Sequence, residues 1–198
     1  HSALKARRSI QSKPMSLTQV DWTKISAPRD DGGAAHLPGL AMPSVPLPAT
    51  DGQTVDLSTL AGRSVIYIYP MTGRPDRDLP ADWDATPGAR GCTPQSCAYR
   101  DHAEDLRARG VKYLFGLSTQ DTAWQQEAAA RLNLPYSLLS DAQGALMGVL
   151  NLPQFEVDGM TLLKRCTLIL RDGLIQHVNY PVFPPDQDAA RVIAWLDD

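Results

Sequence analysis

Apolar residues fall into short runs separated by Gly, Pro and Asp, and the period of each run names an element. SVIYIY (64–69) is continuous, β-branched and aromatic, and it predicts a buried central strand ending at Pro70. VKYLFGL (111–117) predicts the next strand and YSLL (136–139) a shorter one. CTLIL (166–170) and LIQHVNY (174–180), joined by Arg171-Asp172-Gly173, predict an antiparallel hairpin. Helical spacing fills the gaps. Tyr99, Ala103 and Leu106 stand at i, i+4 and i+7 within 92–109, closed by Gly110. Asp121 caps a helix to Leu132 with Trp124, Ala128 and Leu132 on one stripe, and Asp141 opens another carrying Leu146, Val149 and Leu150. A last helix follows Pro184-Pro185, with Asp186 as its cap and Val192, Ile193 and Leu196 turned inward.

Upstream, PSVPLPATDGQTVDLSTLAG (43–62) predicts a short hairpin turning at Asp51-Gly52 and then a brief helical turn. Strand–helix–strand–helix–strand, then a hairpin and a terminal helix, make an α/β chain. Its expected architecture is a thioredoxin-like fold, a mixed central sheet flanked by helices on both faces. Residues 39–198 are read as that one domain and 1–38 as an N-terminal extension. Within it, 1–14 are polar and basic, an upstream extension or a remnant before Met15, and lack the apolar stretch of a secretory signal. The interval 71–91, dense in Pro, Gly and Asp, reads as one long loop, and loops of that length are often functional.

The 198 residues suffice for one domain with a real core. With 19 basic against 22 acidic residues there is no reason to expect nucleic-acid binding. Apolar runs of strand length give no membrane span, for which about 18 residues are needed. The 14 glycines and 16 prolines stay well below the roughly 25–30% typical of low-complexity chains. Three cysteines exclude a disulfide-rich secreted scaffold. A reducing cytoplasm is the expected location, where disulfides are transient and catalytic.

Cys92 and Cys97 lie in GARGCTPQSCAYRD (88–101). Pro94 is tolerated only in a helix's first turn, so Cys92 stands at the helix head, where the dipole and free N–H groups favour the nucleophilic thiolate. Arg90 adds positive potential. Residues five apart on an ideal helix have Cα atoms roughly 8.6 Å apart, beyond the disulfide limit of about 7 Å; the thiols can pair only if the first turn unwinds. Other readings stay open: inert core thiols, a generic dithiol reductase despite the spacing, and a metal site with His102. The last is disfavoured because positions 92, 97 and 102 advance about 140° per step and do not converge.

These residues resemble the peroxiredoxins, specifically the Q-type (bacterioferritin-comigratory-protein-like) branch of the alkyl hydroperoxide reductase/thiol-specific antioxidant superfamily. The resemblance runs from about Gly39 to Leu196 and rests on PSVPLPATDGQTVDLSTLAGRSVIYIYP, TPGARGCTPQSCAYRD, FGLSTQDTAWQQEAAARLNLPYSLLSDAQG and LLKRCTLILRDGLIQHV. It implies a thiol-dependent peroxidase acting on hydrogen peroxide and organic hydroperoxides, with no metal or other cofactor. Cys92 would be the peroxidatic cysteine and Cys97 the resolving one, joined in an intramolecular disulfide. Arg165 would stabilise the thiolate and Pro70 shield the site. Thioredoxin or a similar dithiol protein would be the reductant, and the chain a monomer or weak homodimer.

One departure stands out. The family pattern Pro-x-x-x-Thr-x-x-Cys has its threonine three residues before the cysteine, but position 89 is Ala and the nearest preceding threonine is Thr86. TPGARGC resembles the family's TPG-C with Ala-Arg-Gly inserted, so Thr86, Thr93 or water is expected to fill the threonine's role. A redox-sensing or thiol–disulfide exchange protein with weak turnover on the same fold is the alternative. Cys166 reads as a buried strand thiol on the face of Leu168 and Leu170, with Arg165 on the opposite face. Gln95 is either a hydrogen-bonding site residue or a solvated first-turn glutamine. Arg100 and Asp101 read as fold-supporting surface groups, and His102 and His177 have no evident partner. The segment 71–85, with Trp83, Asp76, Asp78 and Asp82, is either a cap over the site or a solvated insertion.

Overall fold

The computed structural model describes residues 20–198. The expectations for 1–14 lie outside the described residues. Pro46–Pro48 (β1) and Thr54–Asp56 (β2) pair antiparallel around Asp51-Gly52. Arg63–Ile68 (β3) is the central strand, followed after the long excursion by helices Cys92–Asp101 (α1) and Ala103–Ala108 (α2). Val111–Ser118 (β4), Thr122–Arg131 (α3), Ser137–Ser140 (β5) and Ala145–Leu150 (α4) complete the alternating half. A small hairpin, Gln154–Val157 (β6) with Met160–Leu163 (β7), precedes Cys166–Arg171 (β8), Leu174–Asn179 (β9) and Asp188–Asp197 (α5).

The main sheet runs β5-β4-β3-β8-β9, parallel on one side of β3 and antiparallel on the other. This is the mixed sheet of the thioredoxin-like class. Alternation along β3 assigns its faces. Ile66 and Ile68 join Leu168, Leu170, Leu146 and Leu150 in one core, while Val65, Tyr67 and Tyr69 join Tyr99, Leu106, Ala128 and Val192 in the other. Cys166 packs with Leu168 and Leu170, as expected. Gly116 on β4 is obligatory, because a Cβ there would meet Tyr67 and Leu138 at 2.6–2.7 Å.

Several expectations are corrected. The single helix over 92–109 breaks at His102, which leaves helical geometry; Glu104 and Asp105 in the next turn favour a fresh N-terminus there. Asp141 does act as a cap, but across Gly144, its carboxylate accepting from Leu146 and Met147 N–H at 3.0 and 2.8 Å. Val149 is 66% exposed, because the six-residue α4 turns only Leu146 and Leu150 inward. Asp186 caps nothing. It lies in a 3₁₀ turn, Pro185–Gln187, and α5 starts at Asp188, which is drawn inside. The β6–β7 hairpin was not anticipated. Packing also starts earlier than Gly39: Ala34 and Leu37 are buried in the core.

Candidate active site

The site is assembled where β3 ends, α1 begins and the chain enters β8. Gly91 supplies the corner. It sits at φ +117°, and a Cβ there would meet Pro185 and Trp22 at 2.6 Å, so both conformation and space demand glycine. Cys92 is the first residue of α1, buried against the tyrosine face of the sheet, and its thiol points to the Ala89 carbonyl at 3.8 Å. Pro94 falls in the first turn, where no N–H partner is lost.

Arg165, in the connection between β7 and β8, is 3% exposed. Its Nη2 donates toward Cys92 Sγ at 3.4 Å and toward the carbonyls of Gly88, Ala89 and Arg90 at 3.1–3.3 Å. Its Nη1 donates to Gln95 Oε1 at 2.5 Å. Gln95 is therefore no solvated glutamine: it is fully buried, and its Nε2 donates to Asp188 Oδ2 at 3.1 Å. Asp188 also accepts from the hydroxyls of Tyr99 and Thr167, both at 2.6 Å, and from Asn179 Nδ2 at 3.3 Å. Asp188 is the functional candidate that sequence reasoning missed; an acidic residue near a helix start looks like a solvated cap.

Cys97 lies in the same unbroken helix as Cys92 and is nearly buried. Burial pushes its thiol above the ordinary value, with the Arg100 charge opposing and Asp101 adding to the rise. Burial likewise pushes Cys166 far up. Pro70 is buried, its carbonyl accepting from Gln120 Nε2 at 2.8 Å, but the wall beside Cys92 is made by the next residue, Met71. Thr86 is not brought to Cys92. Its hydroxyl donates to the Asp82 carbonyl at 2.8 Å, and it lines a separate cavity of about 590 Å³ behind Arg165.

The cleft that holds Cys92 has a volume of about 420 Å³. The insertion builds much of its wall, contributing Arg74, Arg77, Asp78, Leu79 and Trp83, and Arg90 and Arg131 close the rim. Trp83 is buried with Met71, Ala89 and Leu162 in a small core of its own, so the segment is a packed wall. Arg74 and Arg77 lie over the Trp124 ring at 5.1 and 5.2 Å, and that indole donates to the Thr72 carbonyl. Of the acidic positions, Asp76 pairs with Arg74 and Asp82 serves Thr86 through its carbonyl. Arg100 bonds Asp101 and the Leu132 carbonyl, the expected supporting role. Partners exist for both histidines: His102 faces Asp105, and His177 stacks on Trp195 and meets Asn179.

Comparison with known proteins gives the same family. A family model described as Redoxin matches residues 37–193. Peroxiredoxin Q, chloroplastic, of Oryza sativa subsp. japonica is 33% identical over 160 residues, 80% of this chain and 65% of the relative. The Triticum aestivum protein of the same description is 32% identical over 162 residues, 81% of this chain and 66% of its own length. The chain thus spans just under two thirds of the length of these plant relatives. Peroxidoxin BcpB from Mycobacterium tuberculosis superposes with a TM-score of 0.66 at 25% identity, covering 82% of this chain and 97% of that one. Peroxiredoxin Q from Xanthomonas campestris, at 23% identity, shares the fold with a TM-score of 0.62 over 82% and 96% of the two chains. A Cys at a helix head, an arginine on its sulfur, a mixed thioredoxin-like sheet and these matches agree: the chain belongs to the Redoxin family, in its Q-type peroxiredoxin branch.

Proposed function

We propose that the chain is a thiol-dependent peroxidase that reduces hydrogen peroxide and organic hydroperoxides. The observation that carries this reading is the 3.4 Å approach of Arg165 Nη2 to Cys92 Sγ at the head of α1. The Cys92 thiolate attacks the terminal peroxide oxygen. The S–O bond forms as the O–O bond breaks, sulfur is oxidised to a sulfenic acid, and the departing hydroxide or alkoxide takes up a proton from solvent. Arg165 is a donor beside the charge that develops on the leaving oxygen. Pro70 shields the site through the neighbouring Met71, which lines the cleft, and the threonine role passes from Thr86 to water or Thr93.

Cys97 then attacks the sulfenic sulfur, the S–O bond breaks, water leaves, and an intramolecular disulfide forms. Within an intact helix the pair is held too far apart, so the first turn of α1 opens at this step. Burial keeps the Cys97 thiol protonated until then. Thioredoxin or a similar dithiol protein reopens the disulfide by exchange. No helix among the described residues is long and apolar enough to cross a membrane. A reducing compartment such as the cytoplasm suits the cycle; the plant relatives are described as chloroplastic. A monomer or weak homodimer suffices, since both cysteines and Arg165 belong to one chain.

Rapid mixing of reduced protein with hydrogen peroxide tests the reading. One peroxide is consumed for two thiols lost, and Cys92→Ser abolishes consumption; full consumption by that variant overturns the assignment. A redox sensor with weak turnover is the second reading, favoured by the engagement of Thr86 with Asp82. It is separated by rate, since a sensor of that kind oxidises no faster than a free thiol.

A further inference from the structure

We propose that Asp188 is a positioning residue for Cys92, acting through Gln95 and Arg165. The links are continuous: Asp188 Oδ2 accepts from Gln95 Nε2 at 3.1 Å, Gln95 Oε1 accepts from Arg165 Nη1 at 2.5 Å, and Arg165 Nη2 reaches Cys92 Sγ at 3.4 Å. Asp188 and Gln95 are fully buried and Arg165 nearly so. A primary amide has two faces, and turning it by 180° exchanges acceptor for donor. An ionised carboxylate only accepts. Asp188 therefore obliges Gln95 to present nitrogen to it, and leaves the amide oxygen for the guanidinium. The carboxylate is itself held by the hydroxyls of Tyr99 and Thr167 and by Asn179, from α1, β8 and β9. Without the Gln95 acceptor, three carbonyls compete with the sulfur for Arg165.

Two roles for Asp188 have opposite signatures. A buried negative charge acting only through space disfavours the thiolate, so its removal makes Cys92 ionise more readily. A positioning residue does the reverse, because its removal takes the arginine from the sulfur. Of the remaining ionisable groups around Cys92, Tyr67, Tyr69, the cleft arginines and Asp78 have no bond to Asp188, whereas Tyr99, in the same core, donates its hydroxyl to it.

The test is the pH dependence of Cys92 alkylation by iodoacetamide, in a Cys97→Ser, Cys166→Ala background, for Asp188→Ala, Asp188→Asn and Gln95→Leu. The expected result for Asp188→Ala is a midpoint raised by about one pH unit, which is a tenfold loss of thiolate at pH values below the midpoint. Asp188→Asn gives a smaller rise, because its amide accepts in one orientation only. In the Gln95→Leu background, Asp188→Ala has no further effect. A folded Asp188→Ala protein with an unchanged or lowered midpoint, or with an effect that adds to that of Gln95→Leu, overturns the proposal. If Asp188→Ala does not fold, an unchanged midpoint in Asp188→Asn overturns it. The inference rests on the peroxidase reading only for its bearing on turnover. Alkylation needs no peroxide, so a normal midpoint shift without peroxide consumption would sink that reading and leave the positioning role standing.

Discussion

Arg165 Nη2 has two hydrogens and four acceptors within 3.1–3.4 Å, three of them carbonyls of the loop that delivers Cys92. The guanidinium thus pins the loop and the sulfur at once, and only its fork geometry, with Nη1 on Gln95, allows this. Arg165→Lys keeps the charge and loses the fork. We expect it to lower kcat/KM for hydrogen peroxide by about 10²–10³, the usual loss when a preorganised donor is removed, as read in a coupled peroxidase assay. Cys92, Cys97 and Arg165 are legible in the sequence through local motif and resemblance. Asp188 is not, because its burial depends on Pro184 and Pro185 turning the chain inward and on hydroxyls from two other elements. Thr86 misleads for a related reason: a threonine near a cysteine in sequence is carried away when its hydroxyl closes a turn of its own.

At the scale of elements, the proposed disulfide step asks α1 both to hold and to yield. Its first turn is clamped from outside by Trp22 and Pro185 on Gly91, and Trp22 stands edge-on to Phe183 at 5.8 Å. Opening that turn displaces the indole. Trp22→Ala is therefore expected to speed disulfide formation after sulfenic acid appears by several-fold, the gain expected from about 1 kcal/mol less folded-state packing, measured by stopped-flow. The Trp22-dependent part of the fluorescence, taken as the difference from Trp22→Phe, should change at the same rate as the disulfide forms; a signal unmoved by oxidation contradicts the clamp. Strands and helices with strong periods were readable from sequence. The β6–β7 hairpin carried a usable sign, Asp158-Gly159 between apolar residues. The clamp carried none, since residues 20–29 have no period and gain meaning only from where they pack.

The whole molecule divides its ionisable groups unevenly between its two cores. Tyr67 and Tyr99 on the helix-rich face and Cys166 on the other are held neutral by burial, their ionisation pushed well above the ordinary values of 10.0 and 9.0. Their contribution to stability is complete below those ordinary values and is lost as pH rises beyond them, because the unfolded chain releases the protons first. The melting temperature of the reduced protein should hold steady around neutrality and fall above about pH 9, followed by circular dichroism; a flat profile into strong alkali contradicts the burial of these groups. The fold class was legible because five strands and their helices alternate in a recognisable order. The outline of the site was less so, because its wall comes from a long interval with no period.

That wall has a further consequence. Cys92, Gln95, Arg165 and Asp188 are fixed by α1, the entry to β8 and the start of α5, whereas much of the cleft wall beside Cys92 belongs to a single stretch between Pro70 and Ala89 that packs around Trp83 with Leu162 of β7. The two meet at Ala89, whose carbonyl accepts from Arg165 and whose side chain packs with Trp83. On the proposed peroxidase reading, exchanging that wall by drift or by grafting remodels which hydroperoxides gain entry, while Cys92 and Arg165 keep their own supports in α1 and at the entry to β8.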